Sequence, residues 1–319
     1  MKPLELGCTP WLPLTDGHAG VLARQAQLAE ELGYGSFWLP ENHFGPAATP
    51  EPLMLLAAAA TATRRIRLAT TSYLLPLRHP VQAAAQVAVL DRLSGGRVIL
   101  GVGRGFAPEL FQTFGVARSA KRELFAECLA GMRAAWSGEP IGAAGVRLSP
   151  LPVQQPHPPV WVAAFGPKAL AQAGTLGLPY LASPLESLAT LADNHARHRA
   201  ACEAAGRPLP DAVPVMRTVF VSRDAARIAA LRGALERRME EMRAEATLGA
   251  QGTIPRAPAA HLDDWALVGS PAQVLDAIGR YRERLGMTHL VATRLLLPDA
   301  GAAECEQSMR ELADAVSAA

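Results

Sequence analysis

Short apolar runs rich in β-branched residues recur eight times along this chain, and longer stretches of alanine and leucine at helical spacing separate them. The runs lie at 4–8, 36–39, 66–71, 97–101, 160–164, 179–182, 213–221 and 288–293. Strict alternation of strand and helix leaves few solutions, all with a parallel sheet covered by helices. Eight such strands close a (β/α)8 TIM barrel, and that is the expected fold class, with residues 1–319 as one domain. An open doubly wound sheet is the second reading. Two segments break the rhythm. The stretch 138–159 is rich in glycine and proline and delays the fifth strand, as a surface insertion would; 246–264 is long and aperiodic, as expected of a mobile lid.

Local signals place the element ends. Ser270, Pro271 and Gly286 frame a helix with an N-cap, a first-turn proline and a glycine stop. His79-Pro80 has the look of a helix start, with His79 as the cap, and Ser94-Gly95-Gly96 of a turn out of a helix into the strand that follows.

Charge excludes some functions. The 31 basic residues are interleaved with 29 acidic ones, so no basic face for nucleic acid stands out. The densest run, 235–246, alternates in sign like a solvated helix face. The apolar stretch 53–63 is too short to span a bilayer and ends at Arg64-Arg65. The opening residues MKPLELGCTP show no secretory signal, and the four cysteines (Cys8, Cys128, Cys202, Cys305) are scattered, which suits reduced thiols. The expected location is cytoplasmic. His195 and His198 stand three apart on a helix without a third ligand nearby, so no metal site is expected and a solvated face is the reading.

In a barrel the chemistry sits where strands end. After the second strand comes Glu41-Asn42-His43. His43 suits a general base or a donor to a ligand, and equally a histidine that pins its own loop. After the third strand, Thr70, Thr71 and Ser72 are small enough to let a flat ligand approach. The fourth strand ends in Gly101, Gly103, Arg104 and Gly105. The G-x-G-x-x-G dinucleotide pattern fails there, because Phe106 stands where the third glycine is needed. Exposed amides and the cation Arg104 remain, suited to an anion or a polar ring edge. After the fifth strand, Phe165-Gly166 turns into a helix with Pro167 in its first turn, beside Lys168; its amides suit a phosphate, although a tight barrel turn needs the same glycine. In the first loop, Trp11 and Leu12 suggest an apolar wall.

These stretches resemble the bacterial luciferase-like family of flavin-dependent oxidoreductases over nearly the whole chain. The resemblance is carried by AEELGYGSFWLPENHFG, by RRIRLATTSYLLPLRHPVQAAAQVAVLDRLSGGRVILGVGRG, which is the most specific stretch, by PPVWVAAFGPKALAQAGTLGLPYLAS and by VGSPAQVLDAIGRY. It implies a (β/α)8 barrel and an oxidoreductase that binds reduced FMN. His43 then stands at the family's active-site histidine, near the reactive ring edge, and Glu41, in the same Glu-x-His loop, falls on a cofactor contact. Thr71-Ser72, beside Thr70, falls on a cis peptide against the flavin ring. Arg104 falls on a phosphate contact, Phe106 on a flavin backbone contact, and the turn Ala163, Ala164, Phe165, Gly166 and Ala169 on the phosphate-binding segment. The family's histidine pair is here Asn42-His43, and its phosphate turn offers side chains where this one offers backbone.

The leading expectation is thus a monooxygenase that receives reduced FMN from a separate flavin reductase and uses oxygen on a small organic substrate. Two further expectations are carried beside it: a deazaflavin coenzyme used for hydride transfer, and a flavin-binding protein without turnover. A homodimer packed through the alanine-rich helices 52–63 and 80–93 is expected, with neither nucleic acid nor membrane as partner.

Overall fold

In a computed structural model, which describes residues 3–12, 19–45, 48–247, 261–294, 297 and 300–319, the chain is an α/β protein. The strands are β1 (Glu5–Cys8), β2 (Ser36–Leu39), β3 (Arg67–Thr70), β4 (Tyr73–Leu74), β5 (Val98–Gly103), β6 (Val160–Ala163), β7 (Tyr180–Leu181), β8 (Pro214–Val221), β9 (Ala266–Gly269) and β10 (His289–Thr293). The helices are α1 (Ala19–Glu31), α2 (Pro52–Ala62), α3 (Pro80–Ser94), α4 (Pro108–Thr113), α5 (Lys121–Trp136), α6 (Pro167–Thr175), α7 (Leu188–Ala204), α8 (Ala225–Thr247), α9 (Pro271–Leu285) and α10 (Ala302–Ser317). All eight expected strands are present, together with two more. The two-residue β4 lies below the length that periodicity can show. Four-residue β9, of Ala, Leu, Val and Gly, follows a short helical turn at Leu262–Asp264 and has too few residues to reveal its period.

The chain divides into two compact units. One is residues 13–27 with 37–163, the other residues 1–12, 28–36 and 164–319. In the first, the strand order is β2-β3-β5-β6; β3, β5 and β6 run parallel, and β4 pairs with the far end of β5. Every residue of β5 is buried, as a parallel strand covered on both faces requires. Gly95, at φ +68°, ends α3 in the left-handed conformation that glycine adopts without a Cβ clash. The strand that follows runs to Gly103, so Gly101 and Gly103 belong to the sheet rather than to a loop. His79 does occupy the N-cap position of α3, but its side chain makes no capping bond; Pro80 sets the first turn instead. The core includes Trp38 and Trp161, with ring centres 5.2 Å apart. In 138–159, Gln154 donates to buried Asp91 through its backbone N (2.9 Å) and its Nε2 (2.7 Å), which pins the segment to α3.

In the second unit the order is β1-β10-β8-β9, all parallel. Its core gathers Phe220, Leu231, Leu235, Met239, Trp265 and Val268. The sign-alternating run on α8 thus keeps one apolar stripe inward. Ser270 and Gln273 form a reciprocal capping box at α9, and Gly286 closes it at φ +70°. Residues 248–260 of the expected lid lie outside the described residues. Trp11 is buried.

One expectation is overturned here. His195 and His198 do not face solvent: both are buried. Helix α7 packs on α6 so closely that a Cβ on Gly174 would come within 2.5 Å of Ala201 Cβ. The histidines turn inward, His195 edge-on to the Tyr180 ring at 5.0 Å and His198 with Nε2 2.9 Å from the Leu178 carbonyl. No group of side chains with metal-ligand character occurs among the described residues. Burial, reinforced by His198 and Arg199, pulls the His195 imidazole down to about 4. Its neutral form is therefore the folded form, whereas the unfolded chain takes up this proton below about pH 6.5. Stability is expected to fall as pH drops through that window, by about 2 kcal/mol between pH 6.5 and 5. Thermal melts at pH 7 and pH 5 check this, with a smaller acid-induced drop in His195→Phe.

Candidate active site

The first unit collects its polar chemistry beyond the ends of β2, β3 and β5. After β2 the chain turns through Glu41 to His43, and a backbone bridge between Asn42 and Thr49 holds the loop. The Glu41 carboxylate is fully buried and fully engaged. Its Oε1 lies 2.7 Å from His43 Nε2 and accepts from Arg78 Nη2 at 2.7 Å; its Oε2 accepts from the Leu74 backbone N at 2.9 Å. Burial pushes the Glu41 carboxyl above the usual carboxylate range, opposed by Arg78, the Leu74 amide and His43. The ring of Phe114 meets His43 edge-on at 4.8 Å and is 43% exposed, and Phe44 lies at 6.2 Å.

At the end of β3, Thr70 Oγ1 donates to the Gly101 carbonyl at 2.7 Å, so its hydroxyl is spent on the neighbouring strand. The peptide bond between Thr71 and Ser72 is cis, where the family resemblance places one. Ser72 sits against β5: a Cβ on Gly103 would come within 2.0 Å of Ser72 Oγ. Glycine at 103 is what lets the two segments lie this close.

After β5, Arg104 folds inward and is only 9% exposed. Its Nη1 donates to the Ala163 carbonyl at 3.2 Å, at the end of β6, and its guanidinium covers the Phe125 ring at 4.6 Å. Burial, with Arg122 as a like charge, pulls Arg104 down to about 10. Lys121 is lowered as well, first by burial and then by Arg118, Arg104 and Arg122. Like-charge neighbours thus add to the burial cost of the Arg104 and Lys121 charges, and a doubly charged phosphate is the kind of group that relieves it. Phe106 is 38% exposed beside them.

Of the expected site residues, Glu41, Thr70, Thr71, Ser72, Arg104, Phe106 and Ala163 lie with His43 in the first unit; Ala164, Phe165, Gly166 and Ala169 lie in the second. There, Gly166 at φ +78° is the N-cap of α6, with Pro167 in the first turn. Sequence reasoning passed over Arg78 and the cations of α5. Arg78 meets Glu41 across 37 positions, which no local pattern reveals. The run Arg118, Lys121, Arg122 was visible as three cations shortly after the glycine-rich strand.

Strand-end chemistry on a parallel α/β scaffold, with a buried carboxylate–histidine pair and a cation cluster, is the arrangement of an enzyme site. The model of the luciferase-like monooxygenase family matches residues 9–289, and the chain belongs to that family. The uncharacterized protein y4vJ of Sinorhizobium fredii is 31% identical over 214 residues, covering 64% of this chain and 61% of that protein. The oxygenase component of the flavin-dependent trigonelline monooxygenase of Acinetobacter baylyi is 31% identical over 153 residues, 45% of this chain and 42% of that one. The chain spans between about half and three-fifths of the length of the first curated relatives it matches. Among solved structures, monooxygenase RslO1 from Streptomyces bottropensis superposes with a TM-score of 0.82 at 26% identity over 99% of both chains. The oxygenating constituent of 3,6-diketocamphane monooxygenase of Pseudomonas putida, in complex with FMN, gives 0.80 at 21% over 99% of this chain and 98% of that one. The coenzyme F420 dependent tetrahydromethanopterin reductase of Methanopyrus kandleri gives 0.73 at 20% over 99% of each. The last two show likeness of fold alone.

Placing a methyl group at residue 103 tests the close approach of Ser72. Gly103→Ala is expected to lower the melting temperature, at an overpacking cost of roughly 1–3 kcal/mol. Circular dichroism reads it, and an unchanged melting point is the contrary result.

Proposed function

We propose that this chain is the oxygenase of a two-component flavin monooxygenase, one (β/α)8 barrel that takes reduced FMN from a separate reductase and uses oxygen on a small organic substrate. Reduced FMN, when bound, supplies the electrons that activate oxygen. The observation that carries the reading is the pairing of His43 with buried Glu41 in the unit that also holds the Arg104 cation cluster. The trigonelline oxygenase component, a relative at 31% identity, supports the division of labour with a reductase.

Each residue then has a task. Arg104, with Lys121, Arg118 and Arg122, holds the cofactor phosphate, and the backbone at Phe106 contacts the flavin. The small residues Thr70, Thr71 and Ser72 admit the flat ring. We assign the turn Ala163, Ala164, Phe165, Gly166 and Ala169 to phosphate binding through backbone amides. Glu41 serves His43 rather than the cofactor, its oxygens being taken. His43, with Nε2 on Glu41, exchanges a proton through Nδ1 with the reacting oxygen or substrate. Phe44 and Phe114 keep water from the imidazole. The four thiols, all free and buried, fit a reducing compartment, and we infer a cytoplasmic enzyme. No helix among the described residues is long and apolar enough to cross a membrane.

Arg104→Ala is expected to bind reduced FMN at least about tenfold more weakly, the loss of one charge-assisted contact. Wild-type affinity in a flavin titration overturns the phosphate assignment. His43→Ala is expected to retain FMN while more of the oxygen consumed leaves as hydrogen peroxide. Oxygen uptake also decides the cofactor: hydride transfer to a deazaflavin without oxygen consumption is the outcome that replaces this reading.

We also infer a homodimer through α2 and α3, which pack on each other and expose Met54 (71%), Val89 and Leu93. Light scattering is expected to give twice the chain mass, and Met54→Asp with Leu93→Asp to give the monomer.

A further inference from the structure

Arg78 is the residue on which the geometry around His43 converges. It lies after the short turn Leu75–Leu77, on the chain that leaves β4. Its guanidinium is divided between two carboxylates. Nη2 donates to Glu41 Oε1 at 2.7 Å, while Nη1 donates to Glu51 Oε1 at 3.0 Å and Oε2 at 3.2 Å. Glu51 is the N-cap residue of α2. The guanidinium also covers the Tyr73 ring at 4.5 Å, and Tyr73 is held by its own hydroxyl on Gln86 Oε1 at 2.8 Å. Three elements therefore fix the plane of one side chain. The arrangement is not the one that best satisfies Arg78, because its buried Nε finds no acceptor among the described residues. A buried donor left unmet costs free energy, which marks the orientation as set by the carboxylates.

Arg78 reaches only one oxygen of Glu41, and it is the oxygen that His43 uses. The other oxygen is held by the Leu74 amide. The carboxylate cannot rotate without breaking one of these contacts. An ionised carboxylate only accepts, so the proton on this bond belongs to His43 Nε2. Nδ1 is then the unprotonated nitrogen of the neutral ring, and it makes no hydrogen bond among the described residues. The groups facing the imidazole are Glu41, Phe114 and Phe44; Arg78, Glu51 and Tyr73 stand behind Glu41.

We propose that Arg78 is a positioning residue for His43: by clamping Glu41 between itself and the Leu74 amide, it holds the imidazole in the Nε2–H tautomer and leaves Nδ1 as the working nitrogen. Carboxylates that orient a histidine through its second nitrogen are a general device for selecting the tautomer. Here the carboxylate is itself oriented by a cation that touches neither the ring nor the reacting groups. The proposal rests on the reading of His43 as the reacting histidine only for its consequence in turnover; the tautomer is a property of the protein alone.

The test reads the ring nitrogens of the ¹⁵N-labelled protein by NMR, the His43 signals being those lost in His43→Gln. The unmutated protein is expected to show the Nε2–H tautomer in more than about tenfold excess, the bias a charge-assisted hydrogen bond maintains. Arg78→Met is expected to bring the two tautomers within about threefold of each other, and Arg78→Lys, with its charge but no fork, to give an intermediate ratio. Glu41→Ala, which keeps the Arg78–Glu51 pair, is expected to remove the bias as fully as Arg78→Met does. An unchanged ratio in folded Arg78→Met overturns the proposal, and so does an unchanged ratio in Glu41→Ala should Arg78→Met fail to fold. Coupling of oxygen uptake to substrate oxidation is expected to fall in Arg78→Met with FMN affinity intact. A shifted tautomer with unchanged coupling upholds the role of Arg78 and overturns the part given to His43 in the reaction.

Discussion

A parallel strand buried on both faces has no side on which an unpartnered charge can be left. In β5 and β8 every residue is buried, and the apolar runs that make them bury surface at about 25 cal/mol per Å². Polar chemistry is thereby pushed to the ends of the strands, where backbone groups lose their ladder partners and loops begin. The Glu41–His43 pair after β2, the Thr70–Ser72 segment at the end of β3 and Arg104 after β5 all stand at such ends. The site follows from where the sheet has to stop.

Charges that do enter the interior arrive with their partners. Glu41 meets Arg78, His43 and a backbone amide. Asp91 accepts two bonds from Gln154. Arg217, on β8, donates to the carbonyls of Ser183, Pro184 and Glu186 and to the Tyr281 hydroxyl. Removing one member of such a set leaves a desolvated charge, which costs more than the pair contributes. The cations near Arg104 stand differently: Arg118 and Arg122 are exposed, and their like charges add to the burial cost of Arg104 and Lys121.

Most of the framework was legible because it rests on local physics. The eight expected strands are present, and Gly95, Ser270 and Gly286 do what their backbone preferences predict. The positions that follow strands, Glu41 to His43 and Arg104 among them, were legible too. Less legible were the elements with too little length to show a period, β4 and β9, and the side chains whose surroundings lie far along the chain. His195 and His198 show the limit clearly: spacing on a helix names a face, and only the packing of α7 on α6 says whether that face meets water.

By itself, the sequence determined the alternation of strand and helix, the turns between them and the placement of His43 and Arg104 after strands, because hydrophobic period and turn chemistry act over a few residues. Tertiary structure decided what those side chains do to one another. Glu41 reads as a cofactor contact in the sequence and becomes the acceptor for His43 in the fold, and Arg78 becomes its clamp from 37 residues away. The reason is physical: a hydrogen bond of 2.7 Å depends on where two segments cross in space, and the crossing is set by the packing of the strands and helices that carry them.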